Sequence, residues 1–127
     1  MDRAVLDASA ILAAIGNEPG ADLVSEHISH AAVSTVNLAE AQSKLIERRL
    51  PPGEAWESAL SFAREVFVFD AEQASIAGGL IPFTRPFGLS LGDRACLALV
   101  ITLRAPVYTT DRLWANLNLN VDIRLLR

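Results

Sequence analysis

The strongest constraint on the fold is a regular alternation of short apolar runs with longer stretches of helical periodicity. Apolar runs bounded by polar or turn-forming residues predict buried strands at 4–6, 32–34, 66–69, 106–109 and 121–125. Between them the pattern predicts helices at 8–15, 20–27, 35–49, 54–64, 71–80 and 90–103, a loop at 82–88 and one helical turn at 111–115. Continuous apolar strands separated by helices are typical of a parallel sheet that is covered on both faces. We therefore expect an α/β fold.

The composition is that of a globular protein, and we expect the whole chain, residues 1–127, to form a single domain. The apolar share of 51% excludes an intrinsically disordered chain, and a single cysteine, Cys96, excludes a disulfide scaffold. The longest apolar run, at 95–101, is far shorter than the roughly 20 residues that a membrane span needs, so no membrane association is expected. A lone cysteine fits a reducing compartment, and we expect a cytoplasmic protein.

Four acidic residues lie close to the ends of predicted strands. Asp7 follows the first strand, Asp111 follows the fourth, Glu40 lies early in the helix after the second, and Asp93 lies in the first turn of the apolar helix. Parallel strands bring their carboxyl ends to one edge of the sheet, so these side chains are expected to converge there. Converging carboxylates repel one another, and a hard cation such as Mg²⁺, which prefers oxygen ligands, would relieve that repulsion.

Each acid also has a simpler interpretation. Asp7, Asp93 and Asp111 all stand at helix starts, where a carboxylate caps free amides or complements the positive end of the helix. Glu40 precedes Lys44 by four residues, the favourable spacing for a surface ion pair. Both interpretations stay open on the residues alone.

Asp93 fits the simpler interpretation least well. Its helical neighbours at three, four and seven residues are Cys96, Leu97 and Val100, so its face of the helix is predicted to be buried. Burying a carboxylate is costly unless it is paired or holds a metal.

Four segments together resemble a known family: VLDAS at 5–9, NLAE at 37–40, LSLGDRACL at 89–97 and TTD at 109–111. They resemble the PIN domain, and in particular the VapC-type toxins of bacterial type II toxin–antitoxin pairs. The resemblance implies an α/β/α sandwich with a five-stranded parallel sheet in the order 3-2-1-4-5. It also implies an endoribonuclease that needs Mg²⁺ or Mn²⁺ and hydrolyses RNA phosphodiester bonds to leave 3′-hydroxyl and 5′-phosphate ends.

The resemblance assigns roles to particular residues and partners. The catalytic and metal-binding acids of the family fall on Asp7, Glu40, Asp93 and Asp111, and the auxiliary hydroxyls fall on Ser9 and Thr109. The implied partners are an RNA substrate, a second copy of the chain in a homodimer, and a VapB-like antitoxin whose C-terminal segment blocks the cleft. Arg85, Arg94 and Arg112 become candidates for contacting RNA phosphate or orienting the acids, although an arginine near a carboxylate often forms only an ion pair.

Other functions are considered beside this one. The main alternative is a non-catalytic PIN-like module that holds a protein or RNA partner. A phospho-accepting receiver would need a lysine after a late strand, but the chain's only lysine is Lys44. A phosphatase with an aspartate nucleophile would need a second acid where Ser9 stands. A nucleotide-binding fold would need a glycine-rich loop after the first strand, and DASA at 7–10 contains no glycine.

The remaining reactive residue types are expected to be structural. His27 and His30 have the spacing of a metal pair, but no third ligand joins them and a solvated loop is the simpler prediction. Cys96 lies on an apolar face and is expected to be a buried thiol. Trp56 and Trp114 could stack on bases but are expected in the core or an interface.

Overall fold

The computed structural model describes residues 2–127, which form a five-stranded parallel sheet in the order β3-β2-β1-β4-β5. The strands are β1 (Ala4–Leu6), β2 (Ala31–Ser34), β3 (Glu65–Phe67), β4 (Val107–Thr109) and β5 (Ile123–Leu125). The central strand is β1, where Val5 pairs with Ala32 of β2 and with Val107 of β4. The predicted sheet and its strand order are confirmed.

Helices connect the strands and cover the sheet. The α-helices are α1 (Ala8–Ile15), α2 (Ala21–His27), α3 (Thr35–Glu47), α4 (Pro52–Leu60), α5 (Ala71–Gly79), α6 (Ile81–Thr84) and α7 (Leu91–Leu103). Short 3₁₀ segments occur at Ile28–His30, Arg85–Phe87 and Arg112–Asn116. Within residues 2–127 no helix has the length and apolar character required to cross a membrane.

The sheet separates two hydrophobic cores, because successive residues of a strand point to opposite faces. On one face Leu6 packs in a cluster with Leu38 of α3 and other residues of α1, α2 and α4. On the other face Val5 packs in a cluster with Leu97 of α7 and with Trp114. The result is the α/β/α sandwich that the resemblance implied.

Helix starts at the carboxyl edge of the sheet are fixed by side-chain caps. The Asp7 side chain accepts from the Ala10 amide at the start of α1, and Ser34 accepts from the Val36 amide at the start of α3. Ser90 caps α7 by accepting from the amide of Asp93. Caps of this kind satisfy amides that have no partner within the helix. They fix the chain direction where the candidate acids lie.

The predicted loop at 82–88 is wrong. The segment contains the end of α6 and the 3₁₀ turn Arg85–Phe87. Pro82 and Pro86 each lie in the first turn of their segment, where a missing amide hydrogen removes no helical hydrogen bond. Gly88, with φ of 66°, then ends the turn in a left-handed conformation. Prolines therefore started short helical turns here and did not mark a loop.

Candidate active site

Asp7 lies at the carboxyl end of β1 and is the most buried of the four candidate acids, with 4% of its surface exposed. Oδ1 accepts hydrogen bonds from the Ser9 hydroxyl (2.7 Å) and from the Ala10 amide (2.8 Å). Oδ2 accepts from the Thr109 hydroxyl at 2.6 Å. The carboxylate is therefore held by two donors from the first turn of α1, which it caps, and by one from the end of β4. The cap interpretation of Asp7 is confirmed, and its role as a site residue stays a prediction.

The pKa of Asp7 is raised from its ordinary value of 3.8 to about 6. Burial is the main cause, since it disfavours the charged form. The hydrogen bonds from Thr109, Ser9 and Ala10 lower the pKa, and the negative charge of Asp93 raises it. Asp7 is thus a carboxylate at neutral pH that is held in an unfavourable environment.

Thr109 connects Asp7 with Asp111. Its hydroxyl oxygen donates to Asp7 and also accepts from the Asp111 amide at 3.1 Å. The Asp111 side chain accepts from the Leu113 amide at 3.0 Å and so caps the 3₁₀ segment Arg112–Asn116. Ser9 adds a parallel link, because its hydroxyl accepts from the Thr110 amide at 3.0 Å. Asp111 therefore joins the site through a hydrogen-bonded link, while its own carboxylate is used as a cap.

Glu40 reaches the site from α3 and lies against Gly92 of α7. Its Oε1 accepts a 2.8 Å hydrogen bond from the side-chain amide of Asn37, which also donates to the Gly92 carbonyl at 3.1 Å. Glu40 is half-buried, and burial raises its pKa, as does the charge of Asp93; the Asn37 hydrogen bond and the charge of Lys44 lower it. Asn37 lies in the NLAE segment, and no role for it was predicted. Its position three residues before Glu40, on the same helix face, was the available signal.

The ion pair between Glu40 and Lys44, the alternative interpretation of their spacing, does not form. The Lys44 ammonium lies 3.5 Å from Glu47, three residues further along the exposed face of α3. Glu40 instead turns towards α7, where the Asn37 amide is its hydrogen-bond donor. The spacing of four residues did not decide the pairing, because a buried donor on the same helix was nearer to the carboxylate.

Asp93 occupies the third position of α7 and completes a capping box with Ser90. The Ser90 amide donates to Asp93 Oδ2 at 2.9 Å, and the Asp93 amide donates to the Ser90 hydroxyl at 3.2 Å. The helical neighbours Cys96, Leu97 and Val100 are buried as predicted, but the Asp93 side chain itself is only partly buried. The side chain turns back towards the helix start, and so leaves the apolar face to Cys96 and Leu97.

Asp7, Glu40 and Asp93 form one electrostatic cluster, and its chemistry fits a hard divalent cation. The charge of Asp93 raises the pKa of both other acids. In residues 2–127, the ion pairs of lysine and arginine involve other carboxylates and none of the candidate acids. An oxygen-only set of donors is what Mg²⁺ and Mn²⁺ prefer. Among residues 2–127 no three His, Cys, Asp or Glu side chains form a group that could hold a metal ion directly.

The three candidate arginines differ in their surroundings. Arg94 is partly buried, and its guanidinium donates to the Ala77 carbonyl at 3.1 Å, so it braces α7 against α5. Arg85 and Arg112 are exposed. Arg94 directly follows Asp93 and Arg112 directly follows Asp111, so each is adjacent in the chain to a candidate acid.

The two histidines do not lie in a solvated loop, as predicted, but belong to a hydrogen-bonded chain. His27 Nδ1 lies 3.0 Å from His30 Nε2, and His27 Nε2 lies 2.9 Å from the Tyr108 hydroxyl. The Arg124 guanidinium donates to the same hydroxyl at 3.0 Å. Tyr108 lies 81 residues from His27, which is why local spacing did not indicate the contact.

The predictions for the two tryptophans and for the cysteine are confirmed. Trp114 and Cys96 are fully buried in the core that α7 forms with the sheet, and Trp56 packs against the other core.

A cavity of about 710 Å³ lies at the amino ends of the strands, opposite the candidate acids, and is lined by Arg3, Arg64 and Arg104. Arg3 there is paired with Glu65 at 2.8 Å. That cavity contains none of the candidate acids.

Comparison with known proteins identifies one family. A family model described as PIN domain matches residues 4–118. Comparison with curated protein sequences finds no significant match.

Several solved structures share the fold. The DNA-bound VapBC of Salmonella typhimurium superposes with a TM-score of 0.75 at 18% identity, and all of both chains is covered. A toxin–antitoxin complex from Klebsiella pneumoniae gives a TM-score of 0.74 at 15% identity and covers 98% of each chain. VapBC2 of Rickettsia felis, bound to a DNA fragment from the promoter, gives 0.70 at 18% identity, with 96% of this chain and 97% of that chain covered. At these identities the similarity shows the fold alone.

Proposed function

Because this chain belongs to the PIN domain family, we propose that it is a VapC-type toxin, an endoribonuclease that uses a divalent cation to hydrolyse RNA phosphodiester bonds. The observation that carries the proposal is the convergence of Asp7, Glu40 and Asp93 from β1, α3 and α7 into one cluster of negative charge. Carboxylates that repel one another at neutral pH are typical of a site that binds a cation, because the cation offsets the repulsion.

Asp7, Glu40, Asp93 and Asp111 would hold Mg²⁺ or Mn²⁺ in this proposal. When bound, such a cation polarises the scissile phosphate and makes water a stronger nucleophile. Mg²⁺ usually keeps several waters, which agrees with the absence of a group of three such ligands among residues 2–127.

The chain's own residues fix and charge the site. Three donors hold Asp7, so its carboxylate cannot rotate away from the edge of the sheet. With a pKa of about 6, Asp7 is ionised at neutral pH and available as a ligand. Glu40 and Asp93 are only partly buried, so solvent reaches both side chains.

The reaction we propose is a direct hydrolysis. The oxygen of water forms a bond to phosphorus, the bond from phosphorus to the 3′ oxygen breaks, and that oxygen leaves as a 3′-hydroxyl after taking up a proton. The products carry 3′-hydroxyl and 5′-phosphate ends, and no covalent enzyme intermediate is formed. The exposed guanidiniums of Arg85 and Arg112 are proposed to contact RNA phosphates, for which arginine has suitable donor geometry.

We further propose that a VapB-like antitoxin covers this site and that the toxin forms a homodimer. The similar Salmonella and Klebsiella structures are toxin–antitoxin complexes. Leu91 and Leu113 each lie two residues from a candidate acid and are 57% and 50% exposed. Exposed apolar side chains beside a charged site favour a protein partner at this edge.

A non-catalytic PIN-like module that holds a protein or RNA partner is the second candidate. The observation in its favour is that no three of the candidate ligands in residues 2–127 lie within reach of a single ion. If such a module were correct, the acids would serve only as helix caps and hydrogen-bond acceptors.

Calorimetric titration of the full chain with Mn²⁺ tests the proposal. The wild type should bind Mn²⁺, and Asp93→Asn should lose that binding while keeping the fold, since Asn preserves the size of the side chain. Glu72→Gln, an exposed change in the first turn of α5, is the matched control and should bind as the wild type does. Absence of Mn²⁺ binding in the wild type would exclude the metal-dependent nuclease and favour the non-catalytic module. Cleavage of a single-stranded RNA in Mn²⁺, with and without EDTA, then tests the activity.

A further inference from the structure

Asn37 is placed where a polar side chain is costly. It is 1% exposed, and its carbonyl oxygen Oδ1 is buried without a hydrogen-bond partner. Both neighbours of its amide nitrogen, Glu40 Oε1 and the Gly92 carbonyl, are acceptors, so the side chain cannot be turned over to pair Oδ1. A residue that only filled space at this position would be apolar. The two hydrogen bonds that Asn37 donates therefore have a role that offsets the cost of burying Oδ1 without a partner.

Gly92 leaves the space in which the Glu40 carboxylate lies. A Cβ at residue 92 would overlap both oxygens of that carboxylate. The obstructed atoms are the far end of a flexible side chain, so an alanine would move the carboxylate and leave the backbone in place. Gly92 lies in the first turn of α7, where a conventional helix former would be preferred on propensity alone.

Together the two residues connect α3 with α7 at the cluster. The amide of Asn37 holds Glu40 through one hydrogen and the α7 backbone through the other, next to Asp93 in the chain. We propose that Asn37 and Gly92 are positioning residues that fix the Glu40 carboxylate beside Asp93. Neither residue touches the reacting atoms. The inference rests on the proposed function, in which these acids bind a divalent cation.

The test is the Mn²⁺ affinity of the full chain, measured by calorimetry. Asn37→Leu removes both donors and keeps the branched arrangement of heavy atoms, and Gly92→Ala displaces the Glu40 carboxylate itself. Each should weaken Mn²⁺ binding by about tenfold or more, the usual effect of removing a group that orients a metal ligand. Gly79→Ala is the matched control, since a Cβ there meets nothing within 4 Å, and its affinity should equal that of the wild type.

Two further measurements distinguish positioning from a general structural role. Gly92→Ala should keep the thermal midpoint of the wild type while its Mn²⁺ affinity falls. If Asn37→Leu folds poorly, Gly92→Ala alone still tests the inference. In a Glu40→Gln background, neither Asn37→Leu nor Gly92→Ala should change the remaining Mn²⁺ affinity, because both act through Glu40. If either change lowered the Mn²⁺ affinity as much in the Glu40→Gln background as in the wild type, the inference would be overturned.

The outcomes also separate this inference from the proposed function. If the wild type binds Mn²⁺ and Asp93→Asn does not, but Asn37→Leu and Gly92→Ala bind as the wild type does, the positioning role is wrong and the metal site stands. If the wild type does not bind Mn²⁺, the proposed function is wrong and the positioning role is wrong with it.

Discussion

Thr109 donates a 2.6 Å hydrogen bond to Asp7 across the central pair of strands, β4 and β1, and accepts another from the amide of Asp111. One hydroxyl therefore connects two candidate acids that are far apart in the chain. Its side chain is fully buried, so water does not compete for either contact. The relationship makes Thr109 a sensitive position for testing how the site is assembled.

Replacing Thr109 with valine should destabilise the protein by about 1–3 kcal/mol, the usual cost of leaving a buried polar group unpaired. The change keeps the shape of the side chain but removes the donor to Asp7 and the acceptor for the Asp111 amide. Urea denaturation at pH 7 measures the loss. Thr110→Val, at the next residue, is the control and should cost less, since only the backbone amide of Thr110 takes part in the described contacts of the site. Equal losses would show that the Thr109 hydroxyl has no special role.

Stability should fall as pH rises from about 4 to about 6, because of Asp7. The pKa of Asp7 has its ordinary value of 3.8 in the unfolded chain and is about 6 in the folded protein. Between these two pH values the folded state holds a proton that the unfolded chain has lost. Raising the pH in this range removes that proton and lowers the free energy of unfolding by at most about 1.4 kcal/mol per pH unit. Above pH 6 both states are ionised and the dependence ends.

Asp7→Asn isolates this contribution. The variant should lack the Asp7 share of the pH dependence, since an amide side chain does not titrate in this range. Free energies of unfolding of both proteins at pH 4.5, 5.5 and 7 give the difference curve, in which the other carboxylates cancel. A difference that is constant from pH 4.5 to pH 7 would contradict the raised pKa of Asp7.

Much of the fold could be predicted because the apolar pattern is local. Val5 and Leu6 lie in a short buried run, and the run beginning at Ala95 marks the apolar helix α7. The site was less predictable, because its contacts join elements that are distant in the chain. Asn37 reaches Gly92 across 55 residues, and no periodicity indicates such a contact. The resemblance indicated which acids converge, but it did not indicate which of them are buried.

Errors at the site have one physical cause, which is competition between local spacing and tertiary contacts. Glu40 and Lys44 have suitable spacing for a pair, yet Asn37 and Gly92 attract and accommodate the carboxylate more closely. Asp93 lies on the helical face of buried residues, yet the capping box with Ser90 turns it towards the helix start. The local spacing gave favourable partners for each side chain, but the contacts between packed helices and caps determined which partner was used.

Mn²⁺ should raise the thermal midpoint of the wild type at pH 7. A ligand present at 100 times its dissociation constant stabilises the folded state by about 2.7 kcal/mol, and here it also relieves repulsion among Asp7, Glu40 and Asp93. EDTA should reverse the shift. Asp93→Asn should show no shift, although its midpoint without metal need not be lower. A midpoint that rises equally in Asp93→Asn would place the Mn²⁺ elsewhere on the protein.

Cys96 should be inert in the folded protein. The thiol is fully buried in α7, and its pKa is raised well above 9, mainly by burial and further by the charges of Asp7, Asp93 and Glu40. A thiolate is the reactive form, so a disulfide reagent at pH 8 should label the chain only as it unfolds. Mn²⁺ should slow this labelling in the wild type but leave the rate unchanged in Asp93→Asn, because only the former gains stability from the metal. Cys96→Ala should retain RNA cleavage. Rapid labelling of the folded chain, or loss of cleavage in a stable Cys96→Ala variant, would instead make Cys96 a participant in the chemistry.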